Sequence, residues 1–235
     1  GLLQYLPDAT RQIWQMDGPF LAGWSIDSVL GDSRHGQRIF AGISHPTDAP
    51  TIRLSEDGGA TWAPLPHELH YPPASGLTVR RIWQITPGAP SQPDTYYAGV
   101  DEAGLFVSQD RGLSWQEVMG LNRHPARAQW RASRGGLTLH GILIDPTNPQ
   151  RLWVAIASAG ILRSEDGGAH WQACNDGLRS FATAAGAGYL VHKLAQDPHD
   201  PNVLYLQNID GVYCTRDGAA SWQIIEEGLP STFGF

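Results

Sequence analysis

Two histidines in this chain stand five residues ahead of an Asp-Pro pair: His140 before Asp145-Pro146 and His192 before Asp197-Pro198. Counting back five from the corresponding turn residues Thr86 and Asp32 gives Arg81 and Asp27. Reading the second of these segments one residue earlier puts Arg80 in place of Arg81. A carboxylate, a guanidinium and two imidazoles at one register can grip a polar ligand, clamp an anion, or share a divalent ion between the imidazoles. The same polarity would suit a channel wall that is simply wet. A second group comes from turns and loops: Asp101, Glu102, Asn208 and Asp210 in short turns, and Arg123, His124, Trp130, Arg131 and Arg134 in the longest loop. Trp130 and Tyr189 offer faces on which a sugar ring stacks, with arginine and aspartate making the polar contacts.

The elements that must position these residues are set by a recurring octet. Ser55-Glu56-Asp57-Gly58-Gly59-Ala60-Thr61-Trp62 returns at Ser108–Trp115, at Ser164–Trp171 and, more loosely, at Thr215–Trp222. All four fit hydroxyl-x-Asp-x-(Gly/Ala)-x-x-Trp without a gap. The pattern predicts a tight hairpin turn. The carboxylates of Asp57, Asp110, Asp166 and Asp217 are expected to accept from backbone N–H groups two or three residues on. Glycine supplies positive φ. Trp62, Trp115, Trp171 and Trp222 open the outgoing strands and are expected to be buried between strand layers.

Successive octet aspartates lie 53, 56 and 51 residues apart. A period near 50 holding four short strands predicts a propeller blade. The third repeat shows the strands most clearly: A over 139–144, B over 152–157, C over 160–164, and D from Trp171. Ahead of the first full repeat, Gly1 to Tyr5 resembles a strand C. Pro7-Asp8-Ala9-Thr10 resembles a degenerate octet, and Ile13 to Met16 a strand D. The expectation is a single all-β propeller domain: a half blade over 1–19 and blades over 20–66, 67–119, 120–176 and 177–229. The start of another falls over 230–235, giving about four and a half blades of a six- or seven-bladed ring.

Composition agrees with a β protein: 41% hydrophobic and 17% charged residues, with 27 Gly and 17 Pro for turns. The net charge of −7 argues against nucleic acid or an anionic membrane as partner. Cys174 and Cys214 lack metal-ligand spacing and are expected to be small buried hydrophobes of a reducing, cytoplasmic compartment. No charged-then-apolar segment opens the chain, although its start looks cut.

The octet resembles the Asp-box, or bacterial neuraminidase repeat, which in its families folds the turn between the third and fourth strands of a blade and is structural. The whole chain resembles a bacterial family of Asp-box propellers of glycosyl hydrolase or exo-α-sialidase-like type, mostly of unknown function. The resemblance is carried by Gly18 to Trp24, Gly120 to Pro125, Gly136 to His140, Val191-His192-Lys193, Gln207-Asn208 and Gly228-Leu229-Pro230. Among other Asp-box families, sortilin-type receptors carry a disulfide-rich tail that this sequence lacks, xyloglucanases pair two propellers in a much longer chain, and nothing here singles out the photosystem II assembly factors, which are similar in repeat.

Three functions follow as expectations. The first is a binding scaffold whose mouth takes a carbohydrate, another small ligand or a protein segment. Its site would draw on Asp27, Arg81, Trp130, Arg131, Arg134, His140, His192, Asn208 and Asp210. The second is a sialidase-type hydrolase, with Arg81, Arg131 and Arg134 clamping a carboxylate and Asp27 or Asp101 as acid. The Phe/Tyr-Arg-Ile-Pro motif and a nominable Tyr–Glu pair are missing from it. The third is a divalent metal held by His140 and His192, the one cofactor the sequence offers. The long loops 64–78, 120–138 and 177–190 all join a strand D to the next strand A, and so share one face of a propeller.

Overall fold

The computed structural model describes residues 1–132, 135–183 and 186–231. It is all-β apart from short helical turns, and within each sheet the strands pair antiparallel in sequence order. A hairpin of β1 (Leu2–Pro7) and β2 (Trp14–Phe20) comes first. The first four-stranded sheet is β3 (Ser25–Asp32), β4 (Arg38–Ser44), β5 (Thr51–Ser55) and β6 (Ala63–Pro64). The second is β7 (Arg81–Pro87), β8 (Tyr96–Asp101), β9 (Gly104–Ser108) and β10 (Gln116–Glu117). After α1 (Met119–Asn122), the third is β11 (Leu139–Ile144), β12 (Leu152–Ile156), β13 (Gly160–Ser164) and β14 (Gln172–Ala173). A small hairpin of β15 (Phe181–Thr183) and β16 (Gly186–Gly188) precedes the fourth: β17 (Val191–Gln196), β18 (Leu204–Asn208), β19 (Gly211–Thr215) and β20 (Gln223–Ile224). These sheets are the blades of a β-propeller. Their first strands β3, β7, β11 and β17 touch in succession and form the inner wall.

The core lies between blades, which explains why the middle strands are continuously apolar. Every residue of β8 and β12 is buried. Successive side chains point to opposite faces of a sheet, so each middle strand serves two cores. In β8, Tyr96 packs with Phe40, Ile52 and Ile82 toward the first blade, while Tyr97 packs with Leu105, Leu139 and Ile142 toward the third. In β12, Leu152, Val154 and Ile156 face the second blade; Trp153 and Ala155 face the fourth, with Leu194, Leu204 and Tyr213. The β1–β2 hairpin has no such sandwich: Leu3, Tyr5, Ile13, Trp14 and Met16 are exposed, and among the described residues β1 pairs with no strand but β2, its Gln4 side chain donating to the Gly58 carbonyl of the first octet at 2.8 Å.

The octets close the hairpins between third and fourth strands. In the third blade, Ser164 Oγ accepts from the Gly168 amide at 2.8 Å and donates to Asp166 Oδ1 at 2.9 Å. Asp166 accepts from the His170 amide and ring at 2.9 and 2.6 Å. The same pattern joins Asp57 to Thr61, Asp110 to Ser114 and Asp217 to Ser221. The carboxylate therefore reaches mainly four residues on, further than the expected two or three. It does so because the seventh octet residue turns its own side chain back as a second donor. Gly58, Gly59, Gly167 and Gly168 all hold positive φ, and Arg111 and Ala219 adopt it too. Trp171 and Trp222 are buried, whereas Trp62 and Trp115 are half-buried.

Candidate functional site

Each inner strand carries a one-residue bulge near its start. The ladder skips from Ile26 to Ser28, from Ile82 to Gln84, from Leu139 to Gly141, and from Val191 to Lys193. The residues left outside the ladder are Asp27, Trp83, His140 and His192. A bulge re-aims the side chain of its extra residue, which is why such positions collect at sites. Three of the four are sequence candidates. Arg81 is not at this register; it lies two residues earlier, exposed, with its guanidinium 5.4 Å from the Trp83 ring centre. The cause is the turn after β7, where Gly88 donates to Thr95 as Asp145 does to Arg151 and Asp197 to Val203. The counterpart of those aspartates is thus Gly88 and not Thr86. An aliphatic frame marks the register correctly in all four strands: Ile26/Val29, Ile82/Ile85, Leu139/Ile142 and Val191/Leu194 bracket the bulge residue and its successor.

The residues after the first two bulges bind the neighbouring blade. Ser28 Oγ donates to the Ile82 carbonyl at 2.8 Å. Gln84 accepts from the Ile142 amide at 3.1 Å and donates to its carbonyl at 3.3 Å. These bonds lock neighbouring inner strands at a common height. His140 is driven down to a pKa of about 4, mainly by burial and then by the nearby His192 and Lys193 charges, against a favourable bond to the Val191 backbone. Burial also lowers His192. Among the described residues, no three His, Cys, Asp or Glu side chains gather into a metal-ligand set. Cys174 and Cys214 are free and buried.

A cleft of about 840 Å³ opens where loops 64–78 and 120–138 meet on the second blade. Trp130, His124, Arg127, Arg123, Glu102 and Glu117 are prominent on its walls. The segment after α1 folds into a 3-10 turn, Pro125–Gln129, capped by His124 Nδ1 accepting from the Ala126 amide at 3.1 Å. That cap sets the His124 ring against Trp130, centroids 5.5 Å apart and planes 18° from parallel. Arg127 lies 5.7 Å from the same indole and donates to the Ala103 carbonyl at 2.7 Å. Glu102 is held by Arg80 at 2.6 Å, and its carbonyl by the Tyr71 hydroxyl at 3.1 Å. Glu117 accepts from Asn122 at 3.1 Å. The cleft thus combines a stacked aromatic pair with two carboxylates on its walls. Neither Glu117 nor Arg127 stands out in the sequence; the meeting of two loops selects them.

Asp101, beside Glu102, is buried against Gly136, where any Cβ would strike its carboxylate. Burial raises its pKa, with Arg80 opposing. The remaining candidates lie apart. Arg131 is exposed and donates to the Ala128 carbonyl of its own loop at 2.6 Å. Arg134 is outside the described residues. Asn208 is fully buried and accepts from the Asp210 amide at 3.0 Å, shaping the β18–β19 turn, while Asp210 faces Arg179 at 3.5 Å. Tyr189 packs against the core between the third and fourth blades.

No family model matches this chain. A curated relative, the oligoxyloglucan-reducing end-specific xyloglucanase of Emericella nidulans, is 24% identical over 198 residues, which is 78% of this chain and 23% of the relative. The chain thus spans about a quarter of that relative's length. Among solved structures, an ancestral GH74 enzyme superposes with a TM-score of 0.61 at 18% identity, covering 87% of this chain and 24% of that one. YCF48 from Cyanidioschyzon merolae gives 0.57 at 13% identity, covering 90% and 59%. These likenesses establish the propeller fold, and the distant sequence match falls on xyloglucanases.

Proposed function

We propose that the chain is a carbohydrate-binding propeller and that the cleft on the second blade holds the sugar chain. The observation that carries this reading is the Trp130–His124 pair, fixed by its cap in a cleft that Glu102 and Glu117 also line. A pyranose ring lays its C–H face on such a platform, while carboxylates at the edge accept from its hydroxyls. The xyloglucanase relative supports a neutral, β-linked glucan-type ligand over a sugar acid.

Glycoside hydrolysis is the second reading, favoured by Asp101, whose burial holds it toward the protonated form a general acid needs. A tyrosine nucleophile of sialidase type has no support in this cleft: Tyr71 is buried, with its hydroxyl bonded to a backbone carbonyl. Calorimetric titration with xyloglucan oligosaccharides tests the main reading. Binding should weaken about tenfold or more in Trp130→Ala, the equivalent of ~1.4 kcal/mol. Absence of binding across neutral oligosaccharides, or affinity untouched in Trp130→Ala, would overturn it. Release of reducing ends that disappears in Asp101→Asn would establish the hydrolase.

A further inference from the structure

The bulge residues leave polar atoms that the fold does not use. Asp27 Oδ2, Trp83 Nε1 and His140 Nδ1 are buried from solvent and lack hydrogen-bond partners. Buried polar atoms are nearly always paired, so three at one register on three consecutive inner strands call for a ligand or ordered water. On the fourth strand His192 occupies the same position, close enough for its charge to act on His140. Ile82, Leu139 and Val191, the residues before three of the bulges, face a core, and Ser28 and Gln84 after the first two bind the next blade. That leaves the bulge side chains turned toward the space the inner wall encloses.

The donor and acceptor pattern narrows the ligand. Asp27 Oδ2 accepts and Trp83 Nε1–H donates. The His140 ring bonds the Val191 backbone, so with Nδ1 as the bare atom the proton is assigned to Nε2, and Nδ1 offers a lone pair. A group meeting all three must both donate and accept, as a hydroxyl does. The charges around the register are mixed, Arg81 and Lys193 beside Asp27, and so select no ion of one sign.

We propose that Asp27, Trp83, His140 and His192 form an axial binding site for a neutral polyhydroxylated molecule. It takes either the terminal sugar of a chain lying in the cleft or a free monosaccharide. The proposal rests on the carbohydrate reading above but is testable apart from it.

The test is NMR of the tryptophan indole N–H signals, with Trp83 assigned through Trp83→Phe. Glucose, galactose, xylose and xyloglucan oligosaccharides are added in turn to the whole chain. The Trp83 signal should shift saturably with at least one of them. Asp27→Ala and His140→Gln should weaken the fitted affinity tenfold or more, with unfolding midpoints confirming that both fold. Should either variant not fold, Asp27→Asn and the wild-type titration still decide. A shift with monosaccharides that persists in Trp130→Ala identifies the free sugar as ligand, and a shift with oligosaccharides alone identifies the chain terminus. A Trp83 signal unmoved by every sugar, as an ordered water would leave it, overturns the axial site. If oligosaccharides still bind in a Trp130-dependent way, the cleft survives that result. Conversely, monosaccharide binding at Trp83 without oligosaccharide binding discards the cleft and keeps the axial site.

Discussion

The two ends of each blade treat polar side chains in opposite ways. At the octet end, every carboxylate is met by a hydroxyl or imidazole and by backbone amides, and Asp57, Asp166 and Asp217 are held down to about 2. The leading causes are hydrogen bonds for the exposed pair Asp57 and Asp166. For Asp217, hydrogen bonds from Thr215 and Ser221 overcome a larger opposing burial. At the bulge end, Asp27 and His140 keep bare polar atoms, Asp101 is pushed up by burial, and His140 is pushed down. The octet carboxylates use polarity to fold turns, whereas three of the bulge side chains keep atoms that the fold leaves unsatisfied, as Arg38 and Gln92 also do elsewhere. That asymmetry supports the site proposed on the bulge and loop face, because unmet polar groups at register positions are poorly explained by stability.

The strongest way to break the comparison is to attack the octet end. Trp171 is buried in the interblade core, and its indole N–H donates to the Gly168 carbonyl at 2.9 Å. Trp171→Ala should cost about 3–5 kcal/mol in denaturant unfolding, the range for losing a buried large aromatic. A loss below ~1 kcal/mol would mean the octets decorate the blades and do not hold them.

The fold was legible because strands C are bounded on both sides by chemistry. Gly104–Ser108, Gly160–Ser164 and Gly211–Thr215 begin at a turn glycine and end at the octet hydroxyl, so their limits follow from the letters. Strands D end sooner than their apolar runs, since only two residues pair before the chain leaves the blade. The β15–β16 hairpin went unforeseen because a Gly/Ala-rich loop carries no alternation. Of the bulge residues, Asp27, His140 and His192 are marked by turn aspartates. Trp83 is not, since its turn has Gly88 in the aspartate's place. The cleft is long-range: Trp130 is visible as an aromatic in a long loop, but Glu117 gains its place through Asn122, and Arg127 through the Ala103 carbonyl.

A smaller effect separates the two ends by pH. The octet aspartates have folded pKa values below their ordinary 3.8, so their stabilisation is present above that value and is lost as pH falls toward about 2. His140 has a folded value of about 4 against an ordinary 6.5. The unfolded chain therefore binds its proton first, and stability drops as pH falls from about 6.5 to 4, with no further loss below. The windows barely overlap. In His140→Gln the upper loss should shrink while the lower one persists, read from unfolding midpoints in half-unit pH steps. An unchanged upper window would place the imidazole in solvent.

The smallest expected effect sharpens the comparison most, because its sign is unusual. Asp101 is buried beside Gly136, and burial outweighs the pull of Arg80 and Arg81, so its folded pKa is raised. For an acid shifted upward, the folded state holds its proton longer than the unfolded chain. Stability is therefore undiminished below 3.8 and declines as pH rises through the folded value. Asp101→Asn removes the charge that burial penalises while keeping the shape. At pH 7 it should stabilise the chain slightly, by far less than Trp171→Ala destabilises it, and the gain should vanish at pH 3. The corresponding change at the octet end, Asp166→Asn, should do the reverse, destabilising at pH 7 because it weakens the acceptor that holds His170. Opposite signs for two Asp→Asn substitutions in one propeller would show that the bulge face carries a carboxylate kept against the interest of stability, as a site requires. If both substitutions destabilise at pH 7, Asp101 is a structural residue, and the hydrolase reading loses its acid.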